Sequence, residues 1–240
     1  MPSNILILAN NISTTLGFVI VISVVAIVIF IAYYFSRKQR VLRALSKFKY
    51  RKITQFQTNE LTKVIGKTLH VHEPFVAPFS KRKCVAFHFV IQQKRSNGKS
   101  SYWKTLVEQS DIQDFFVEDQ GEVVMIKPTK VPKNYINYMV TDRSVSSGVF
   151  NAPSPKFLEL LKHYGVNSKN LLGFNKNLRY TESIIEVGET VTVGGIAKWK
   201  KLSEPLSGYS YSQIATLESS DEQKIVITDH PSAQFSQRKL

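Results

Sequence analysis

The sequence predicts a mainly β (α+β) protein, with an N-terminal transmembrane helix and an OB-like or β-barrel-like domain carrying one helical insertion. Three observations predict it. Residues 16–35 form a long apolar run. Downstream, short β-branched and aromatic runs alternate with turn signals. Among those runs lies a single amphipathic stretch with helix punctuation at both ends. The expected organisation is a short extracytoplasmic N-terminus (residues 1–15), a transmembrane helix (16–36), a basic juxtamembrane segment (37–60), the β domain (61–230) and a polar tail (231–240).

The apolar run reads LGFVIVISVVAIVIFIAYYF, interrupted only by Gly17 and Ser23. At a rise of 1.5 Å per residue, roughly 20 such residues span the ~30 Å hydrocarbon core. A helix also pairs its own backbone N–H and C=O groups, which lipid demands. Tyr33, Tyr34 and Phe35 stand where an interfacial aromatic belt belongs. A cleaved signal peptide would place its basic residues before a shorter apolar core, and here they come after a long one. No second run of this length follows, so the chain reads as single-pass.

Net charge is +14, from 32 Lys and Arg against 18 Asp and Glu. None of it lies in the first 36 residues, and eight of the basic residues fall between Arg37 and Lys52. That asymmetry places the domain on the cytoplasmic side and the N-terminus outside. Arg37, Lys38, Arg40, Arg43, Lys47 and Lys49 are the candidate membrane-surface residues, facing anionic lipid headgroups. Val41, Leu42, Leu45 and Phe48 recur among them at helical spacing. Two readings stay open: an amphipathic helix lying on the membrane, or a topology signal on a solvated stalk. No targeting peptide is recognised, and the expected membrane is a bacterial plasma membrane.

Residues 53–66 read as a linker or short helix. Residues 67–72 (KTLHVH) alternate as a strand. Residues 84–93 and 102–108 form a hairpin with Asn97-Gly98 near its tip. Residues 115–117 and 123–126 are two further strands around the turn Asp119-Gln120-Gly121. Residues 128–152 read as irregular. Ser154-Pro155 opens a helix over 156–163, and Gly165 closes it. Residues 167–178 read as a loop. Strands follow at 179–187, 190–199, 214–217 and 224–228. Gly194-Gly195, inside one of them, suggests a bulge or bend where a small barrel coils. Seven to nine short strands with one helix argue for a small barrel or sandwich.

Four motifs occur in order. Ala77-Pro78-Phe79-Ser80 leads to Lys83-Cys84-Val85-Ala86-Phe87, and Trp103 follows. Next come Phe115-x-Val117-x-Asp119-x-Gly121 and Arg179-Tyr180-x-Glu182. The last runs from Val187-Gly188-Glu189 to Gly195. This pattern resembles the GIDE domain, also called BAM for "beside a membrane". That family is found in mitochondrial RING-type ubiquitin ligases and in prokaryotic proteins. The resemblance covers roughly residues 66–230. It implies a membrane-adjacent domain of the prokaryotic type, with Pro78, Cys84, Trp103, Asp119, Gly121, Glu182, Gly188, Glu189 and Gly195 as structural motif positions. A RING needs seven or eight Cys and His ligands, and this chain has one cysteine. Ubiquitin-ligase membership is therefore an alternative that rests on the family alone.

Candidate chemistry is sparse, and no catalytic residue is assigned. Alternation puts Cys84, Ala86 and His88 on one strand face. The cysteine and histidine are then about 13 Å apart, too far for a nucleophile–base pair. His70 and His72 form an H-x-H that His88 could complete as a metal site, which leaves an uncharted metal-dependent enzyme as a further alternative. Asp229-His230 lacks a nucleophile elbow. Acidic turns such as Asp119–Gly121 and Glu186–Glu189 most often satisfy turn backbone. Gly194-Gly195 has no phosphate-loop context, and no cofactor is implied. Basic and aromatic residues interleave at 48–51 and 102–104, but beside an anchor they point to lipid or protein rather than nucleic acid. The expected partners are anionic lipid and a protein of unknown identity.

Overall fold

The computed structural model describes residues 2–131, 133–201 and 213–234, with residues 2–15 described by their backbone alone. Helix α1 (Pro2–Tyr34) contains the apolar stretch Leu16–Tyr34, long and apolar enough to cross a membrane and nowhere buried. Residues 2–15, expected as the extracytoplasmic N-terminus, continue this helix. Residues 3–15 contain no proline or glycine to break it. Ser36 then caps α2 (Arg37–Leu45), its hydroxyl accepting from the Gln39 N–H.

Thirteen strands occur among the described residues, more than the seven to nine expected. In chain order they are β1 (Lys49–Tyr50), β2 (Leu61–His70), β3 (Phe75–Val76), β4 (Lys83–Ser96), β5 (Ser101–Ile112), β6 (Phe115–Asp119), β7 (Glu122–Ile126), β8 (Tyr135–Tyr138), β9 (Arg143–Ser147), β10 (Leu178–Glu186), β11 (Thr190–Lys201), β12 (Gln213–Glu218) and β13 (Ile225–Thr228). Helix α3 (Pro155–His163) precedes β10, and the short α4 (Pro231–Gln234) follows β13. The tail expected over 231–240 thus begins as a helix with Ala233 buried, and residues 235–240 lie outside the described residues.

Five strands close a barrel. Strand β2 pairs with β6, β6 with β7, β7 with β12, β12 with β11, and β11 returns to β2. Among these five barrel strands only β7 and β12 pair in parallel. This is the expected small barrel, with its sheet extended by β1, β13 and β8. A second sheet runs β3-β4-β10-β9, with β5 also on β4. One core fills the barrel around Val64, Phe115, Val117, Val193 and Leu217. The other joins the second sheet to α3 through Phe89, Ile91, Phe157, Leu161 and Tyr180.

Four expectations need correction. Residues 61–66 are strand, not linker, and Gly66 lets β2 pass so close to β6 that a Cβ would sit 2.1 Å from the Glu118 carbonyl oxygen. Residues 128–152 contain β8 and β9, whose polar alternation hid them. The pairing of β11 with β2 runs through Gly194 and Gly195 without a shift, so they form no bulge. Gly194 is small because the Phe48 ring lies where its Cβ would be, 2.9 Å away. A bulge lies on β4 instead: Ile185 faces Ala86 and Glu186 faces Cys84, which leaves Val85 as the extra residue. Cys84 therefore joins Phe87 and Phe89 in the second core, while Ala86 points into the barrel.

Candidate functional site: a cleft at the foot of the apolar helix

Helix α2 folds onto the β domain. Its side chains Val41 and Leu45, with Phe48 just beyond, pack against Val226, Ala233, Ile136 and Tyr138. Its apolar stripe is thus spent on protein rather than on a membrane surface. Arg37 fastens the helix to β8, donating from Nε to the Asn137 carbonyl at 2.9 Å and from Nη2 to Asn137 Oδ1 at 2.7 Å. The Arg43 guanidinium lies 3.8 Å from the Tyr34 ring centre and donates to the Tyr34 carbonyl at 2.8 Å. Gln39 Nε2 donates to the Tyr33 hydroxyl at 2.6 Å. These bonds tie the end of α1 to α2, and α2 to the domain.

Between α2 and the polar face of the second sheet opens a cleft of about 670 Å³. Arg37, Arg40 and Val41 line it from the helix, and Tyr135, Asn137 and Tyr138 from β8. Opposite stand Thr181 and Ser183 of β10, His88 of β4, and Glu108 and Ser110 of β5. Lys224 completes the charged lining. His88 Nε2 and Glu108 Oε1 are 3.0 Å apart. The outward residues of β10 are polar by strict alternation at 179, 181 and 183, and that was the readable signal for this face. Lys224 and Ser110 had no such signal, because long-range pairing brings them in.

None of the motif positions lines this cleft. The loop 77–82 closes with an Ala77 N–H to Arg82 carbonyl bond of 2.9 Å and arches over Glu182, with half-buried Pro78 leading into its tip. The buried Glu182 carboxylate accepts from the N–H groups of Phe79 (2.9 Å) and Ser80 (3.1 Å) and from the Tyr180 hydroxyl (2.7 Å). Burial alone would push its pKa up, but the donors from Ser80, Tyr180 and Phe79 hold it below the usual carboxylate value. Burial, and next the Glu182 charge, pushes the Cys84 thiol up to about 12, so this cysteine is not a nucleophile at neutral pH. Trp103 lies under Arg179, 4.1 Å from its ring centre to the guanidinium. Gly121 (φ 86°) follows Gln120 (φ 56°) in a two-residue hairpin turn, and Asp119 accepts from the Tyr50 hydroxyl at 3.3 Å. Gly188 (φ 89°) serves the β10–β11 turn, where Glu189 Oε2 accepts from the Glu186 N–H at 2.9 Å. Gly195 packs against Leu217.

Protein-family models, curated proteins and solved structures were all compared with this chain, and none matches.

The histidines do not come together. His70 ends β2 and is exposed, His72 lies beyond that strand, and His88 faces Glu108 in the cleft. Among the described residues no three His, Cys, Asp or Glu side chains are grouped to hold a metal ion. Asp229 and His230 form no dyad: Asp229 takes the Val140 N–H on both oxygens at 2.9 Å, and His230 Nδ1 accepts from the Ser232 N–H. Phe48 is buried and offers no face on which a base could stack. Two charged centres escaped the sequence reading. Arg82 pairs with Asp142 at 2.6 Å and Glu186 at 2.7 Å. Buried Glu218 is ringed by Lys130, Lys198 and Lys200. The groups that pair lie on loops and strands far apart in the chain, so spacing along it cannot reveal them.

Proposed function

We propose that this chain is a single-pass, membrane-anchored binding module of the GIDE/BAM type, without ligase chemistry of its own. The β domain stands on the cytoplasmic face, in keeping with the basic residues that follow the apolar helix. The prokaryotic pattern of the resemblance favours a bacterial plasma membrane. One observation carries the reading: α2 is packed into the domain while bonded to the end of α1, so the cleft is held at the foot of the anchor. A swinging domain on a stalk could bind anywhere in the cytosol. A domain fixed this way presents its cleft to ligands at the membrane surface. The free edge of β5, paired only on its β4 side among the described residues, offers a second protein the chance to add a strand.

The test is site-specific photo-crosslinking in native membranes from Ser110 in the cleft and Tyr102 on β5. Discrete adducts at either position, with the protein resisting alkaline carbonate extraction, are the expected result. A carbonate-soluble chain, or no adduct from either position, overturns the proposal.

A further inference from the structure

We infer that the cleft beside α2 holds the phosphate-bearing headgroup of an anionic membrane lipid, one lipid per chain. This rests on the reading of α1 as a membrane anchor. The lining carries three fixed cations, Arg37, Arg40 and Lys224, against one carboxylate, Glu108, which His88 holds on the opposite wall at 3.0 Å. The cations are available. Neither Arg40 nor Lys224 has a side-chain partner among the described residues, and Arg37 spends only Nε and Nη2 on Asn137. Cations left unpaired around a concave polar site favour an anion, and guanidinium and ammonium groups with hydroxyl donors suit phosphate oxygens.

Position selects the source of that phosphate. The apolar stretch ends at Tyr34. Arg37 and Arg40 lie on α2, whose Gln39 and Arg43 bond Tyr33 and Tyr34 at that end, so both cations sit beside the headgroup level of a bilayer. A lipid in the adjoining leaflet is confined beside the cleft at high effective concentration, whereas free phosphate has to be captured from solution. The volume of about 670 Å³ accommodates a headgroup. The assignment also separates this site from the rest of the basic block. Lys47 and Lys49 carry the same charge but do not line the cleft.

The experiment uses the full chain in phosphatidylcholine nanodiscs containing phosphatidylglycerol, transferred to mild detergent for native mass spectrometry. Wild type retains one phosphatidylglycerol per chain. R40Q/K224Q reduces retention about tenfold, as loss of charge-assisted bonds requires. R40K/K224R restores most of it, and K47Q/K49Q leaves it unchanged. Lipid-free protein titrated with inorganic phosphate shows no saturable binding in the millimolar range. No retained lipid, an equal loss in K47Q/K49Q, or saturable phosphate binding without lipid retention overturns the headgroup assignment. If cleft adducts with a protein still form while no lipid is retained, the anchored binding module stands and the headgroup falls. If carbonate extracts the chain, both fall.

Discussion

A carboxylate placed beyond the reach of water stays ionised only when fixed donors replace its hydration. Glu182 meets that condition with two backbone N–H groups and the Tyr180 hydroxyl. The loop 77–82 and the strand β10 are about a hundred residues apart in the chain, and this anion joins them beside the Arg82–Glu186 pair. Glu182→Gln keeps the shape but removes the charge and turns an NH₂ group toward N–H donors. It is expected to cost about 3 kcal/mol, the scale for stranding buried polar partners, read as a lower urea midpoint at unchanged slope. An unchanged midpoint would show that the packing of Phe79 on Tyr180 and the Arg82 ion pairs hold the loop without this charge. At this scale the sequence was partly legible. Pro78, Cys84 and Glu182 stood out as motif positions, but only the fold shows that they form one structural unit.

Among elements, α2 departs furthest from expectation. Its amphipathic spacing was plain, with Val41, Leu45 and Phe48 on one face. Periodicity says that such a face is buried, without saying against what. The structure sets it against β8, β13 and α4, and the Phe48 ring takes the space a side chain at Gly194 would need. Phe48→Ala is expected to cost about 3 kcal/mol, and Gly194→Ala about 1–3 kcal/mol by overpacking. Because the ring and the new methyl compete for one volume, the double variant should be more stable than the sum of the two by about 1 kcal/mol. Strictly additive denaturation midpoints would refute the contact. A similar limit explains Cys84: strict alternation assigns it to the face of Ala86, and a bulge of one residue reverses that.

Across the whole molecule, two buried acids titrate in opposite senses. Burial, reinforced by Glu189 and Asp142, raises Asp229 from 3.8 to about 7. Its contribution to stability is complete below pH 3.8 and is lost as pH rises through about 7, since the folded state holds the proton longer. For Glu218, burial is outweighed by Lys130 and Lys200, which bring it down to about 2. Its contribution is complete above pH 4.5 and is lost as pH falls toward 2. Urea midpoints across pH should therefore decline on both sides of a maximum near pH 4–5. D229N should flatten the limb between about pH 4 and 7, and E218Q the acid limb, each group supplying at most about 1.4 kcal/mol per pH unit. Identical limbs in wild type and both variants would remove these groups from the account.

What the sequence determined by itself was a set of features written in local order. The apolar stretch, the cationic collar, the hairpins at Asn97-Gly98 and Gln120-Gly121 and the Ser154-capped helix are each legible within twenty residues, because propensity, capping and hydropathy act over that range. What tertiary structure alone decided was which faces meet. Barrel closure through β2 and β11, the docking of α2, the burial of Glu218 among lysines and the cleft at the foot of α1 all join segments far apart in the chain. Such contacts follow from shape and desolvation summed over the whole core, which no single stretch of sequence carries.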